Sequence, residues 1–275
     1  MVIFNSILST LFDSVLRPFH GVNPFWPLLV LSVLMGAVLL VVFRYTSNQR
    51  GIQETKNRIK AHLLEIRLFK DDLGILLSAQ GMILKYNFRY FAYGLKPLLV
   101  IILPVAALLI QMEGWFGSRP LRPGESALVS VYLSGGISEP LPSVEMEVDD
   151  GLAIESPSLR IPATREVDWK IRAKKPGNYH LLVKLQGVMI PKTVTVSAGE
   201  LARVSPIKPS SDLWDVALHP GESPIPKDLP VKQISLDYPS RSIDVLGWKL
   251  HWLLVFFVIS TLTGFLFKGF FKVEI

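Results

Sequence analysis

The stretch FWPLLVLSVLMGAVLLVVF, residues 25–43, runs for 19 residues without a charged side chain. A helix of this length spans about 30 Å at 1.5 Å per residue, which matches the hydrocarbon core of a bilayer. Apolar stretches of comparable length recur further along the chain, while the segments between them are basic and helical in one case and strand-like in the other. The sequence therefore predicts a membrane protein with transmembrane helices at 25–44, 94–116 and 247–268.

A cleaved signal peptide is the alternative interpretation of the first apolar stretch. The only basic residue well before it is Arg17, and no small-residue cleavage site follows at Arg44 to Ser47. Both features favour a retained transmembrane helix.

The distribution of charge predicts the orientation in the membrane. Residues 44–96 hold ten Lys or Arg against four Asp or Glu, and an excess of basic residues beside the spans favours the cytoplasmic side. We therefore expect the N-terminus and residues 118–246 outside, and the tail 269–275 in the cytoplasm, in the inner membrane of a bacterium. The net charge of +6 then reflects topology and lipid headgroups, and we expect no specific nucleic acid.

Two segments near the N-terminus have helical periodicity. Apolar residues recur at helical spacing from Ile3 to Phe19, which predicts an interfacial amphipathic helix over 1–24, with a helix packed on a neighbouring domain as the alternative. Residues 45–93 contain two helical stretches separated by Lys70 to Gly74. They predict an antiparallel cytoplasmic hairpin of the coiled-coil type, or one long bent helix, since two aspartates also cap a new helix directly.

The outer segment has the alternation of β-strands. Strand-like runs at 128–133, 144–148, 167–173, 179–185 and 192–196 are separated by Gly, Pro, Asn and Ser, and predict an immunoglobulin-like β-sandwich over 118–204. Seven prolines follow in 205–246 and predict an extended linker, in which Leu229 to Tyr238 adds at most one strand. The chain has no cysteine, so the exported domain folds without disulfides.

Catalytic patterns are weak in this sequence. The five histidines have no pair at metal-ligand spacing, and Asp149 and Asp150 are neighbours whose side chains point apart on a strand end. No phosphate-binding glycine loop is present. We therefore predict a protein that is not an enzyme and has no metal or other cofactor.

Polar residues within the predicted spans are few, and they define a candidate groove. Arg44 ends the first span, and the other candidates are Ser32, Gln111, Ser260 and Thr263. The alternatives are that Arg44 is an ordinary interfacial anchor and that the small and hydroxyl residues only allow close helix packing.

The order of these segments resembles the core of the YidC family of membrane-protein insertases, in the Oxa superfamily. The shared pattern is an outer interfacial helix, a span ending in Arg44, a basic hairpin, and Gly94-Leu95-Lys96-Pro97-Leu98-Leu99 opening a span that ends in IQM at 110–112. The reduced three-span members are the most similar. The resemblance covers the first 113 residues, and the exported β-domain is an addition to the pattern.

The resemblance implies a function without nucleotide hydrolysis. Arg44 corresponds to the groove arginine of the family, and the hairpin corresponds to the part that receives clients, ribosomes or nascent chains. The basic residues expected to make this cytoplasmic contact are Arg50, Lys56, Arg58, Lys60, Arg67 and Lys70. We expect an insertase or chaperone for membrane proteins, and the rival hypothesis is a scaffold subunit that anchors the β-sandwich in an envelope complex.

Overall fold

The computed structural model describes residues 2–19, 21–134, 142–199, 201–271 and 273, with side chains from residue 8 onward. The chain divides into two compact units. A β-rich unit combines Met1–Pro27 with Leu108–Trp252, and a helical unit combines Leu28–Ala107 with Leu253–Ile275. The helices are α1 (Val2–Leu16), α2 (Phe25–Thr46), α3 (Gln49–Leu68), α4 (Leu73–Phe116), α5 (Leu213–Leu218) and α6 (Trp252–Phe267).

Short polar side chains begin three of these helices. Asn23 Oδ1 accepts a hydrogen bond from Phe25 N at 2.9 Å, and Asn48 Oδ1 accepts one from Gly51 N at 3.0 Å. Asp72 Oδ1 accepts from the amides of both Gly74 and Ile75, at 2.9 and 3.1 Å. Each acceptor satisfies amides that have no partner inside the helix. The turn between α3 and α4 therefore lies at 69–72, and the alternative of a single bent helix does not apply.

The hairpin and the second predicted span form one continuous helix. α4 runs for 44 residues and contains Pro97 and Pro104, so the boundary predicted at 93–94 does not interrupt it. By length and composition, α2 and α4 are long and apolar enough to cross a membrane, whereas α6 has 16 residues. The third predicted span began at 247, but residues 248–250 form a strand that precedes α6.

The β-rich unit contains two larger antiparallel sheets and a hairpin. The strands are β1 (Ser126–Leu133), β2 (Val144–Val148), β3 (Leu152–Ile154), β4 (Leu159–Ile161), β5 (Glu166–Ala173), β6 (Gly177–Leu185), β7 (Val188–Val196), β8 (Ile207–Lys208), β9 (Val231–Leu236), β10 (Ile243–Val245) and β11 (Trp248–Leu250). One sheet has the order β3-β5-β1-β9-β8, with β4 also paired to β5, and the other has the order β2-β6-β7. The five predicted strands are confirmed as β1, β2, β5, β6 and β7.

Period-two alternation explains how both sheets share one hydrophobic core. Val167, Trp169, Ile171 and Ala173 on β5 are buried, and they belong to the same cluster as inward-facing residues of β1, β2, β6, β7 and β9. Successive side chains of a strand point to opposite faces, so every second residue of these strands packs inward. The alternation that identifies a strand in the sequence therefore also identifies the core.

The proline-rich segment 205–246 is folded rather than an extended linker. It contributes β8, α5 and β9, and β9 pairs with β1 from Val129↔Leu236 to Leu133↔Val231. Its prolines lie outside β8, β9 and α5, where the missing amide costs no ladder or helix hydrogen bond. Proline content alone therefore misidentified a segment that completes the larger sheet.

Within the β-rich unit, residues 118–240 form a β-domain whose two ends lie side by side. Arg119 N donates to Pro239 O at 2.9 Å, Arg241 N donates to Gly117 O at 3.0 Å, and Ser118 and Ser240 form an antiparallel bridge between them. Next to this bridge, the rings of Phe116 and Trp252 are 6.3 Å apart. The chain thus enters the domain after α4 and leaves it before α6 at one place.

Candidate functional site

A close helix approach in the helical unit involves Gly36 on α2 and one turn of α6. A Cβ atom added to Gly36 would lie 2.6 Å from the backbone oxygen of Ser260 and 2.9 Å from Cβ of Thr263. Distances under 3.0 Å are not tolerated without movement of the backbone. Glycine is therefore required here, and α2 and α6 are in backbone contact, as small residues in helix interfaces permit.

The hydroxyl groups predicted to line a groove lie at this contact and bond to their own helices. Ser32 Oγ donates to Leu28 O at 2.6 Å, and Thr263 Oγ1 donates to Ile259 O at 2.8 Å. Ser260 Oγ donates to Phe257 O at 3.2 Å. All three side chains are buried, Ser32 completely. Each donor is satisfied locally, which suits close helix packing.

Gln111 belongs to a different constellation, in the β-rich unit. Its Oε1 accepts a hydrogen bond from Ser9 Oγ at 3.1 Å, and Arg203 Nη2 lies 3.5 Å away. Arg203 also donates to Asp13 Oδ1 at 3.0 Å and to Ser9 Oγ at 3.1 Å. Ser9 and Asp13 are one turn apart on α1, so Arg203 fixes this helix to the end of α4. The sequence contained no signal for this arginine cluster.

Helix α1 is packed inside the β-rich unit. Phe12 and Leu16, again one turn apart, are buried, and α1 contacts α5. The exposed residues of α1 include Leu11 and Val15. The buried face of α1 agrees with the alternative interpretation of this segment, a helix packed on a neighbouring domain. The exposed apolar residues of its other face are compatible with an interfacial role.

An apolar cleft extends along the helices of the helical unit. One part, of about 310 Å³, is lined by residues of α2, α4 and α6 that include Gly36, Val105 and Phe256. A second part, also about 310 Å³, lies where α3 meets α2 and α4 and is lined by Ile52 and Tyr90. Phe43 and Ile101 line both parts. The two parts are therefore adjacent, and their walls are almost entirely hydrocarbon.

Arg44 lies at the surface next to this cleft's shared residue Phe43. Its side chain is exposed, and the guanidinium carbon lies 6.0 Å from the centroid of the neighbouring Tyr45 ring. An exposed arginine with an aromatic neighbour at the end of an apolar helix matches the geometry of an interfacial anchor. The structure does not bring Arg44 together with Ser32, Ser260 and Thr263 in a shared polar cavity.

Aromatic contacts hold α3 and α4 together as an antiparallel hairpin. Arg58 Nη1 donates to the Tyr86 hydroxyl at 3.2 Å, and the Tyr86 ring stacks on His62 at 5.7 Å between centroids. A Cβ on Gly51 would lie 2.8 Å from Tyr93 Cζ. Residues early in α3 thus meet residues late in the hairpin part of α4, which defines the antiparallel pairing.

The predicted basic contact residues of the hairpin are mostly exposed. Arg50, Arg58, Lys60, Arg67 and Lys70 are exposed and Lys56 is half-buried. Large apolar side chains are exposed beside them, among them Leu64, Leu68, Phe69, Leu73 and Leu77. The surface at the end of the hairpin is therefore both basic and apolar, a combination typical of surfaces that meet lipid or another protein.

The β-rich unit contains a buried charge cluster that the sequence did not indicate. Lys192 Nζ donates to Glu222 Oε1 and to Ser205 O, each at 2.6 Å, and Lys208 Nζ lies 3.7 Å from Glu222 Oε2. The Lys192 side chain is fully buried. Burial lowers the pKa of both lysines, and the Glu222 carboxylate opposes that shift. Glu222 therefore attaches the segment after β8 to strand β7.

The described residues contain no group of three or more His, Cys, Asp or Glu side chains arranged to hold a metal ion. The charge clusters found here pair cations with single carboxylates, which neutralises charge without forming a ligand set.

Comparisons with known proteins identify no family. No protein-family model matches the sequence, and no curated protein matches it either. Structures of the S-layer protein SbsC are similar over part of the chain. Domains 4 and 5 align with 30% of this chain and 48% of theirs, at 13% identity and a TM-score of 0.23. Domains 5 and 6 align with 44% and 58%, at 12% identity and a TM-score of 0.24. The alignments thus span about half the length of those structures, and similarity at this level supports no further conclusion.

Proposed function

We propose that this chain is a membrane-embedded, non-enzymatic insertase or chaperone for membrane proteins, of the YidC/Oxa type. The observation that carries the proposal is the continuity of α4, in which a helix of the basic hairpin runs without a break into an apolar segment that borders the apolar cleft. A client captured at the hairpin is thereby next to an apolar surface that its own transmembrane segment can contact.

Exposure of the apolar helices supports a membrane location. Only 28% of the most apolar window of α2 and 17% of that of α4 are buried within the protein. The core helix of a soluble protein would be mostly buried, whereas a lipid-facing helix leaves its side chains for hydrocarbon. With the basic hairpin in the cytoplasm, the β-domain lies outside the inner membrane.

The strand order supports an immunoglobulin-like interpretation of the exported domain. The sheets β9-β1-β5-β3 and β2-β6-β7 follow the A-B-E-D and C-F-G orders of that fold, with β1 in the position of strand B. Strand β9, which comes late in the chain, takes the position of strand A. Such a domain presents loops to binding partners. We assign to it the binding of envelope subunits or of client segments outside the membrane.

The proposed mechanism lowers the barrier for moving a client's polar flank through hydrocarbon. Burying an unpaired polar group there costs several kcal/mol of free energy. A protein surface that accepts the client's apolar segment divides this free-energy barrier into smaller steps. The hydroxyls of Ser32, Ser260 and Thr263 become available to a client when α2 and α6 separate at Gly36. No step requires a nucleotide.

Site-specific photo-crosslinking tests this function. A benzoylphenylalanine is placed at Val105, inside the cleft, or at Leu103, which lies on the exposed face of the same helix. During synthesis of a single-span membrane protein in vesicles, we expect several-fold more crosslinking to the nascent chain from position 105. Equal yields from both positions would contradict a client-binding cleft.

A second candidate function, a structural anchor, is favoured by the burial of the predicted groove hydroxyls. Cysteine labelling distinguishes the insertase from the structural anchor. Single cysteines are introduced into this cysteine-free chain at positions 32, 44, 260 and 263. Labelling of several positions by a membrane-impermeant maleimide in inside-out vesicles supports an opening cleft. Labelling at 44 alone supports a closed helical anchor of an envelope complex.

A further inference from the structure

A polar cavity of about 400 Å³ lies in the β-rich unit, beside the place where the β-domain begins and ends. Four cationic side chains line it, from Arg119, Arg122, Arg241 and Lys249. Among its lining residues the single carboxylate is that of Asp244. When Glu125, the partner of Arg119, is counted with Asp244, the cations around the cavity still outnumber the carboxylates by four to two.

The cations differ in how strongly they are already engaged. Arg119 forms two hydrogen bonds with Glu125, at 2.8 and 2.9 Å, and this pairing lowers the pKa of the Glu125 carboxyl. Arg241 is buried in the wall, with its Nε 3.4 Å from Ser118 O. Arg122 and Lys249 have exposed side chains. They are the two cations that can most easily turn toward a ligand.

Hydroxyl groups complete the polar lining. Ser197, Ser240 and Ser242 line the same cavity. Ser197 Oγ accepts a hydrogen bond from Gly199 N at 2.9 Å, and a serine hydroxyl that accepts one bond can also donate its proton to an oxygen of a ligand. Cationic side chains combined with hydroxyl donors are the chemistry that binds the oxygens of a phosphate group.

The cavity also lies at the ends of two apolar helices. Asn23 and Pro24, in its wall, directly precede α2, and Lys249 lies three residues before α6. The turn between β10 and β11 exposes 98% of Leu246, whose φ of 54° is unusual for a branched side chain. An apolar residue at such a tip, followed by the exposed Trp248, is typical of a surface in contact with lipid.

We propose that this cavity binds a phosphate group, held chiefly by Arg122 and Lys249, at the depth where the headgroups of anionic phospholipids lie. Lys249 is the cross-strand partner of Asp244 in this hairpin, and its side chain is exposed and therefore accessible to the ligand. The inference rests on the proposed membrane location for the source of the phosphate, but its chemistry depends only on the cavity. A lipid held here would fix the β-domain to the outer leaflet.

The test uses the full chain purified in a mild detergent and the double variant Arg122→Gln/Lys249→Gln. A matched control, Lys174→Gln/Lys175→Gln, removes the same charge from exposed positions outside the cavity. Native mass spectrometry measures retained phosphatidylglycerol, and calorimetric titration of delipidated protein measures binding of inorganic phosphate. We expect about a tenfold loss of binding in the cavity variant, because two charge-assisted contacts are removed, and little change in the control.

The two probes distinguish the sources of the phosphate. Binding of phosphatidylglycerol alone identifies a lipid headgroup site, and binding of both probes identifies a site for the phosphate group itself. Equal losses in the two double variants, or no binding of either probe by the wild-type chain, would overturn the proposal. Extraction of membranes with carbonate is measured in parallel, so a failure of membrane integration is distinguished from an empty cavity in an integrated protein.

Discussion

The α2–α6 contact of the helical unit and the charge clusters of the β-rich unit satisfy their buried polar groups in opposite ways. In the helical unit, Ser32 and Thr263 donate to carbonyl groups four residues earlier in their own helices. In the β-rich unit, Lys192 reaches a carboxylate 30 residues away, and Arg203 reaches Asp13 across 190 residues. Local bonds persist when helices move apart, whereas distant bonds are lost when segments separate. The buried hydroxyls of α2 and α6 thus place little constraint on the separation of these helices, whereas the distant bonds of the β-rich unit hold its segments together.

The largest effect is expected when the carboxylate between the two buried lysines is removed. Glu222→Gln leaves Lys192 and Lys208 without a counter-charge, and we expect a loss of about 3–5 kcal/mol in the free energy of unfolding at pH 7. The loss should shrink as pH rises. Burial lowers the pKa of both lysines in the folded state, and Glu222 opposes that shift. Without Glu222 the folded-state pKa values fall further, so the variant gains more stability than the wild type as pH rises.

Urea unfolding of the full chain in detergent at pH 7 and pH 9 measures the effect. Lys192→Met is the control, because Glu222 then keeps Lys208 as a partner at 3.7 Å and a methionine suits the buried site. A loss from Lys192→Met as large as that from Glu222→Gln would show that the lysine, not the carboxylate, organises the cluster.

The next test separates α2 and α6 where they meet at Gly36. Gly36→Leu forces a side chain against Ser260 and Thr263, and we expect overpacking to cost about 1–3 kcal/mol. Gly264→Leu is the matched control, because an added Cβ there meets no atom within 4 Å. Thermal unfolding in detergent compares the two variants, and similar melting temperatures would argue against a tight α2–α6 contact.

The bonds that fix α1 provide a third test. Arg203→Lys keeps the charge but loses the forked geometry that reaches both Asp13 and Ser9, and we expect local destabilisation of α1 by about 1–2 kcal/mol. Hydrogen exchange of the α1 amides measures this opening. Arg160→Lys, at an exposed strand position, should leave exchange unchanged, and equal protection in both variants would contradict the proposed role.

A fourth test concerns a buried carboxylate of β5. Desolvation raises the pKa of Asp168, so the charged form is unfavourable in the folded state at pH 7. We expect Asp168→Asn to raise the free energy of unfolding by less than about 1 kcal/mol. The advantage should disappear as pH falls, because the wild-type carboxyl then becomes neutral as well. Unfolding at pH 4 and pH 7 measures it, with the exposed Asp228→Asn as control.

The smallest effect is expected where a polar group is satisfied within its own helix. Ser32→Ala removes a hydroxyl that, among the described residues, donates to Leu28 O, a carbonyl that keeps its helical partner. We expect a change within about 0.5 kcal/mol in thermal unfolding. A larger loss would mean that the Ser32 hydroxyl serves a second helix, and the contrast between the two units would weaken.

Sequence reasoning predicted the elements whose signal is local. Alternation located five strands, and the apolar run from 25 to 43 lies within α2. The segment Lys70 to Gly74 indicated the turn of the hairpin, and in the structure Asp72 within it caps the following helix. These features depend on neighbours within a few residues, which a single sequence contains.

Features that depend on distant partners could not be predicted in this way. The prolines of 205–246 indicated a linker because nothing local shows that β9 pairs with β1, about 100 residues earlier in the chain. Gln111 was assigned to a groove because the residues beside it in the sequence are apolar. Its hydrogen-bond partners, Ser9 and Arg203, lie far away in the sequence. The pairing of Lys192 with Glu222 had no sequence signal for the same reason.

The bridge between Ser118 and Ser240 makes the β-domain a replaceable module. Because the chain enters and leaves the domain at adjacent residues, removing the domain opens a gap that a few residues can close, and the loop-closure entropy of the remaining helices changes little. Evolution could thus insert or exchange such a domain without altering the connection between α4 and α6. The same geometry would let an experimenter substitute another domain with adjacent ends and connect the apolar helices to a new partner.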